Sequence, residues 1–207
     1  MLKGGIILVF GLFLSFGSVA QKRNGFSSLS GPEKWWVIGH PFKAKRALSI
    51  SLRTIEVRDS IKRTGIIGTD DNGGNLDAFK HTLWMAALTH KIGPNSSLKL
   101  GKAHEKGNYK SYLKGDPEDG ILPDKVASDM DLYNNRQGIR IARNNPDANE
   151  TELITIILNE LRTGTLRVIK KEGGIFLNCD GKPIAKEDLI GTWENDKCLV
   201  PSNYSKP

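Results

Sequence analysis

Cysteine is scarce in this chain, which has two among 207 residues, Cys179 and Cys198, both near the C-terminus. In an exported protein such a pair is more often a disulfide than a redox site. We therefore expect a bridge that closes a C-terminal loop and contributes roughly 3 kcal/mol through chain entropy. A paired cysteine is not available as a thiol nucleophile.

Several catalytic and binding signatures are also missing. No Gly-x-Ser-x-Gly elbow occurs, and Asn108 stands where a His-Glu-x-x-His zinc motif beginning at His104 would need its second His. The acidic loop at residues 69–74 lacks the ligand spacing of an EF-hand and is predicted to be a turn. No basic stretch is interleaved with stacking aromatics, so nucleic acid is not expected as a partner.

Long apolar runs are limited to the N-terminus. Lys3 precedes an apolar run at residues 6–16, and the small residues 18–20 come before Gln21. This arrangement predicts a signal peptide over residues 1–20 and an exported protein, periplasmic or secreted. An uncleaved N-terminal anchor is the alternative.

The formal net charge of +7 is unevenly distributed. Residues 21–65 hold 10 Lys and Arg against 3 Asp and Glu, whereas residues 66–207 hold 19 against 20. A basic first helix can bind an anionic membrane or polysaccharide surface, or it can be a solvated face with no partner.

Hydrophobic periodicity predicts a mainly α fold of about five helices with a small C-terminal β-hairpin region. The expected divisions are a signal peptide (1–20), a flexible leader (21–33), a helical core domain (34–165), and a β-hairpin with a disulfide-stapled tail (166–207). The predicted helices span about 41–64, 76–92, 98–106, 124–144 and 149–163, and a long polar loop is expected over 107–123.

Three of the predicted helices carry polar clusters. Asp77 and His81 are four residues apart and share one helix face, and Asp131 and Asn135 repeat that spacing. A further cluster is His104-Glu105. Imidazoles and carboxylates together are ligands for zinc or manganese. The predicted metal ligands are Asp77, His81, His104 and Asp131, and the predicted catalytic residues are His81, His104, Glu105, Asp131 and Asn135.

The same residues support other interpretations. Without a metal, a His can be a general base that a carboxylate orients, with Asn135 donating to a developing oxyanion. The polar groups can instead form a hydrogen-bonded network that fixes helix packing, or they can be scattered over the surface.

Linked motifs in the N-terminal two-thirds resemble an uncharacterised family of exported bacterial domains, many from the Bacteroidetes. The match covers roughly residues 35–144, and its motifs are Asp77-Ala78-Phe79-Lys80-His81-x-x-Trp84, Gly101-Lys102-Ala103-His104-Glu105 and Met130-Asp131-Leu132-x-Asn134-Asn135-x-x-Gly138. The resemblance implies a helical domain of unknown function, with His81, His104, Glu105, Asp131 and Asn135 as motif positions.

Two functions follow as hypotheses. The first is an exported hydrolase with a His/Asp/Glu site, working either with a divalent metal such as zinc or without a metal, on an envelope or extracellular substrate, lipid or glycan. The second is a non-catalytic binding or scaffold domain, in which the polar cluster is structural and the basic first helix contacts an anionic surface.

Overall fold

The computed structural model describes residues 26–117 and 122–204, so the predicted signal peptide lies outside the described residues. The fold is mainly helical, with a few small strands at the C-terminal end, as predicted. The helices are α1 (Gly31–Gly39), α2 (Pro41–Thr64), α3 (Asn75–Ile92), α4 (Pro94–Lys114), α5 (Lys125–Asn144), α6 (Glu150–Arg162) and α7 (Lys186–Leu189). The strands are β1 (Arg167–Ile169), β2 (Lys171–Glu172), β3 (Ile175–Phe176) and β4 (Leu199–Pro201).

The helix count differs from the expected number of about five, because seven α-helices occur among the described residues. The two additions are α1 and the single turn α7. A capping box begins α1: Ser30 Oγ accepts the Glu33 N–H at 3.4 Å, and Glu33 Oε2 accepts the Ser30 N–H at 2.8 Å. Helix α1 therefore starts inside the segment predicted to be a flexible leader.

Helix α4 is longer than predicted. The sequence places its end near Lys106 and a loop after it, but the helix continues to Lys114. The prediction is wrong because Gly107 is not a helix stop. A Cβ at this position would lie 2.4 Å from Ser30 Oγ, so the missing side chain lets α4 pack closely against the start of α1.

Helix α3 is the centre of the fold and packs against α2, α4, α5 and α6. Its contact with α5 is very close, because a Cβ at Gly138 would lie 2.3 Å from the carbonyl oxygen of Thr82. Two apolar clusters surround α3. One contains Phe79, Leu83, Ile141, Ile157 and Leu166, and the other contains Trp36, Met85, Leu88, Ile92 and Leu100.

The C-terminal region is built from two small antiparallel pairs. Strand β2 pairs with β3 across the predicted hairpin turn at Gly173 and Gly174. The sequence predicts residues 166–170 as the first strand of this hairpin, but β1 within that range pairs with the distant β4. The predicted disulfide between Cys179 and Cys198 is confirmed and lies next to β4. It therefore fastens the segment that returns to complete the β1–β4 pair.

None of the helices in the described part of the chain is long and apolar enough to cross a membrane.

Candidate metal centre

Asp77, His81 and Asp131 come together between α3 and α5. His81 Nε2 lies 3.6 Å from Asp77 Oδ1 and 3.3 Å from Asp131 Oδ2. One ligand atom from each residue lies within 4.8 Å of the other two, and all three side chains are buried. The close approach of α5 to α3 at Gly138 holds these residues together, since Asp131 lies two turns earlier on the same helix.

The first turn of α3 positions Asp77. The helix has no side-chain cap at Gly74, and Asp77 Oδ2 instead accepts the Gly73 N–H at 2.9 Å. Lys80 Nζ lies 2.8 Å from Asp77 Oδ1, one turn along the helix. Burial acts to raise the pKa of Asp77, but the charge of Lys80 and the Gly73 hydrogen bond hold it below its usual value. Asp77 is therefore a carboxylate at neutral pH.

His81 is a neutral imidazole. Burial, together with the positive charge of Lys80, lowers the pKa of His81 to about 3, although Asp77 acts in the opposite direction. The side chain of Asn135 lies close enough to the ring to oppose this lowering. Neither His81 Nδ1 nor the amide of Asn135 meets hydrogen-bond geometry with any described residue, and all of these atoms are buried.

His104 lies beside the cluster and not within it. Its ring centroid is 6.2 Å from that of His81 and 5.6 Å from that of Trp84. Its Nδ1 is 3.1 Å from Glu33 Oε1, which ties α4 to α1. Burial acts to raise the pKa of Glu33, but the hydrogen bond and charge of His104, with the Ser30 contacts, lower it to about 2. The three-residue group of ligand atoms does not include His104.

Glu105 has a different environment. Its Oε2 accepts a hydrogen bond from Ser128 Oγ at 2.8 Å and another from Asn108 Nδ2 at 3.2 Å. The Ser128 bond connects α4 with α5, and the Asn108 bond lies within α4. Such bonds are typical of a buried polar network that fixes helix packing.

Two charged residues of this region are not among the predicted site residues. Glu33 lies in the predicted leader, although the pattern Ser30-x-x-Glu33 is a capping-box signature that identifies the start of a helix. Lys80 lies three residues after Asp77, the spacing of neighbours on one helix face, and this spacing is the signal that could have identified it. Glu33 places a negative charge beside His104, and Lys80 places a positive charge near His81.

Residues 34–165 match the family model described as "Domain of unknown function (DUF6973)", which is more than half of the chain. The chain belongs to this family. No curated protein and no solved structure matches this chain. The expectation of an uncharacterised family is therefore confirmed, whereas the bacterial origin and the individual motifs remain predictions. The DUF6973 match contains all three residues of the Asp77–His81–Asp131 cluster and ends before the β-strands and the disulfide.

Proposed function

We propose that the DUF6973 domain of this chain is a metal-dependent hydrolase whose divalent cation is held by Asp77, His81 and Asp131. By donor type, two carboxylates and an imidazole suit zinc, with manganese as the next choice. Following the signal-peptide prediction, the substrate belongs to the envelope or the extracellular space, and lipid and glycan are the proposed classes.

The spacing of the donor atoms is the observation that carries this proposal. Ligands at 2.0–2.2 Å from a tetrahedral zinc ion are about 3.3–3.6 Å from one another. The distances from His81 Nε2 to Asp131 Oδ2 and Asp77 Oδ1 are 3.3 and 3.6 Å, and the ligand atoms of all three residues lie within 4.8 Å of one another, so a small movement of the carboxylates completes the site. The neutral state of His81 also supports the proposal, since a metal ligand must offer a free nitrogen lone pair.

Each residue near the cluster has a role in the proposed site. Lys80 now pairs with Asp77, but its side chain is 30% exposed and can turn to solvent when a cation takes its place. Asn135 lies next to the His81 ring and is suited to accept from Nδ1–H, which directs the Nε2 lone pair toward the two carboxylates.

Three protein ligands leave one tetrahedral position for a water molecule, and a bound zinc ion would supply an activated water at neutral pH. Half-buried His104 and Trp84 lie at the edge of the cluster. We assign to His104, held by Glu33, the transfer of a proton to or from the reacting group.

A second candidate is favoured by the burial of the cluster. All three ligand residues are buried, and the surface cavity of about 590 Å³ beside Gly74 and Asn75 is not lined by any of them. Buried Asp–His contacts commonly stabilise helix packing. In this alternative the domain is a non-catalytic binding or scaffold domain, and the cluster is a structural network.

Elemental analysis of the protein purified without chelators tests the metal. We expect about one equivalent of zinc or manganese in the wild type and in the control variants Asp129→Asn and His90→Gln. Asp131→Asn and His81→Gln should lose the metal, because each removes one ligand. A wild-type protein that neither retains nor takes up either metal would contradict the proposal.

Turnover separates the hydrolase from a structural metal site. Chromogenic esters and glycosides offered to the zinc-loaded and chelator-treated protein should be hydrolysed only by the loaded form, and His104→Ala should be slower with zinc still bound. If the protein binds stoichiometric zinc but turns over no lipid or glycan substrate, the metal site is supported and the hydrolase proposal is refuted.

A further inference from the structure

The corner between α1 and α2 exposes large apolar side chains. Trp35, Ile38 and Phe42 are 73%, 58% and 93% exposed. Trp35 and Ile38 are three residues apart on one face of α1, and Phe42 follows in the first turn of α2. Single exposed apolar residues are ordinary, but three large ones within eight positions are a candidate interaction surface.

This corner is rigidly attached to the rest of the domain. Trp36 is buried and donates from Nε1 to the Ser96 carbonyl at 3.1 Å, while the His40 ring stacks on it with centroids 4.7 Å apart. Lys43 Nζ donates to the Ile92 carbonyl at 2.9 Å and to Ser96 Oγ at 2.7 Å. The exposed apolar side chains are therefore presented on a fixed backbone, and little ordering is needed on binding.

The segment that forms the corner carries charge of one sign. No Asp or Glu occurs from Lys34 to Ile55, a stretch that holds five Lys and Arg. Lys43 is turned inward, and Arg53 pairs with Glu150. Lys45 and Arg46, the other two basic residues of α2 in this stretch, are exposed.

Lys45 and Arg46 lie three and four residues after Phe42, on the same face of α2. In the described part of the chain neither residue forms a salt bridge. The corner thus combines two unpaired cations with three apolar groups.

We propose that this corner, defined as Trp35, Ile38, Phe42, Lys45 and Arg46, docks the protein on the surface of an anionic lipid bilayer. Aromatic and aliphatic groups enter the boundary between headgroups and acyl chains, and flanking basic groups pair with anionic headgroups. A polyanionic polysaccharide would use the two cations, but it offers no apolar layer for Phe42 and Trp35. The lipid surface fits both parts of the corner.

The test is flotation of the exported, purified protein with vesicles of phosphatidylglycerol and phosphatidylethanolamine, or of phosphatidylcholine alone, at low and high salt. We expect binding to the anionic vesicles that weakens with salt. The double variant Lys45→Ala/Arg46→Ala should bind roughly 30-fold more weakly, since each basic residue near an anionic surface contributes about 1 kcal/mol. Phe42→Ala should bind roughly tenfold more weakly.

Matched controls come from the C-terminal region, where Ile190 is 77% exposed and Lys182 and Lys186 are exposed. Ile190→Ala and Lys182→Ala/Lys186→Ala should bind as the wild type does. Phe42 is almost fully exposed, so its replacement should leave the thermal melt unchanged.

Quenching of Trp fluorescence by brominated lipids locates the contact. The wild type should be quenched, and Trp35→Phe should lose most of that quenching. Vesicle binding that is equal in the wild type and both corner variants would overturn the proposal, as would binding to dextran sulfate with none to anionic vesicles. If residues 1–25 alone bound the vesicles, the wild type and both corner variants would bind equally, which is the first of these two outcomes.

Discussion

The Asp77–His81–Asp131 cluster and the Glu105 network are both buried acidic groups between helices, yet their contacts differ. In the network, Glu105 Oε2 accepts two hydrogen bonds, at 2.8 and 3.2 Å, from neutral partners on α4 and α5. In the cluster, two carboxylates converge on one imidazole nitrogen at 3.3 and 3.6 Å. The Glu105 distances are those of hydrogen bonds, whereas 3.3 and 3.6 Å fit both a long N–H···O contact and the spacing of two ligands of one ion. We infer that burial alone does not separate a structural group from a functional one, and that the convergence of two carboxylates on one imidazole is what sets the cluster apart.

The largest effect should come from changing the close contact between α3 and α5, which holds the cluster in place. In Gly138→Ala the new Cβ would lie 2.3 Å from the Thr82 carbonyl, so α5 must move away from α3. We expect a loss of about 3 kcal/mol in the free energy of unfolding, with weaker zinc binding because Asp131 moves with α5. Chemical denaturation checks this, with Gly39→Ala as the control, since nothing lies within 4 Å of that site.

Zinc should stabilise the folded protein through the Asp77–His81–Asp131 cluster and not through the Glu105 network. At a zinc concentration 100 times Kd, the wild type should gain about 2.7 kcal/mol in the free energy of unfolding, because the metal binds the folded state. Asp131→Asn should lose this gain, and Asp129→Asn, on the same helix but exposed, should keep it. Denaturation with and without zinc measures the difference, and an equal gain in both variants would place the metal elsewhere.

Glu105→Ala should lower the stability of the protein and leave its zinc binding unchanged, the reverse of what is expected for a metal ligand. It removes two buried hydrogen bonds and leaves Ser128 and Asn108 without their acceptor, so we expect a loss of about 2 kcal/mol. Its zinc affinity, measured by calorimetric titration, should stay at the wild-type value. Glu56→Ala, at an exposed position, is the control for stability. A large fall in zinc affinity would mean that Glu105 belongs to the metal site.

Variants of Asn135 test whether a contact with His81 Nδ1–H orients the His81 ring. Asn135→Leu should weaken zinc binding about tenfold, as is usual when the partner of a ligating His is removed. Asn135→Asp keeps an acceptor for Nδ1–H and should restore the affinity. If both variants bind zinc as tightly as the wild type in a competition titration with a chelating dye, Asn135 has no orienting role.

The Glu33–His104 pair should give the smallest effect, and it depends on pH. The pKa of Glu33 is about 2 in the folded protein and 4.5 when unperturbed, so its stabilisation is complete above pH 4.5 and is lost as the pH falls toward 2. By linkage this fall in pKa corresponds to at most about 3 kcal/mol. The side chain is 15% exposed and solvent screens part of the interaction, so we expect an effect on the order of 1 kcal/mol. Thermal melts between pH 2 and 6 should show that Glu33→Gln lacks this part of the acid sensitivity.

Local chemistry made part of the fold predictable. Asn149 caps α6 through its own side chain, Asp124 does the same for α5, and Gly65 ends α2 in a left-handed conformation. Each of these signals acts over a few residues. Gly107 misled the prediction because its role depends on Ser30, far away in the chain, and a glycine chosen for close packing has the same sequence signature as a helix stop.

In the candidate site, too, some features follow from local spacing and others depend on how distant helices pack. The i, i+4 spacing correctly puts Asp77 and His81 on one face, but the arrival of Asp131 depends on how α5 packs on α3. The partner of His104 is 71 positions away, so no local pattern could pair it with Glu33. His104 and Glu105 are adjacent in sequence, yet one faces α1 and the other faces α5, because neighbours on a helix point in different directions.

The most direct test of the metal centre is a crystal structure of the protein grown with zinc, with data collected at the zinc absorption edge. We expect an anomalous peak between α3 and α5, about 2.0–2.2 Å from His81 Nε2 and from one carboxylate oxygen each of Asp77 and Asp131. A site without a peak, in which His81 Nε2 donates directly to Asp131 and Lys80 still pairs with Asp77, would contradict the metal centre and leave the cluster as a structural network.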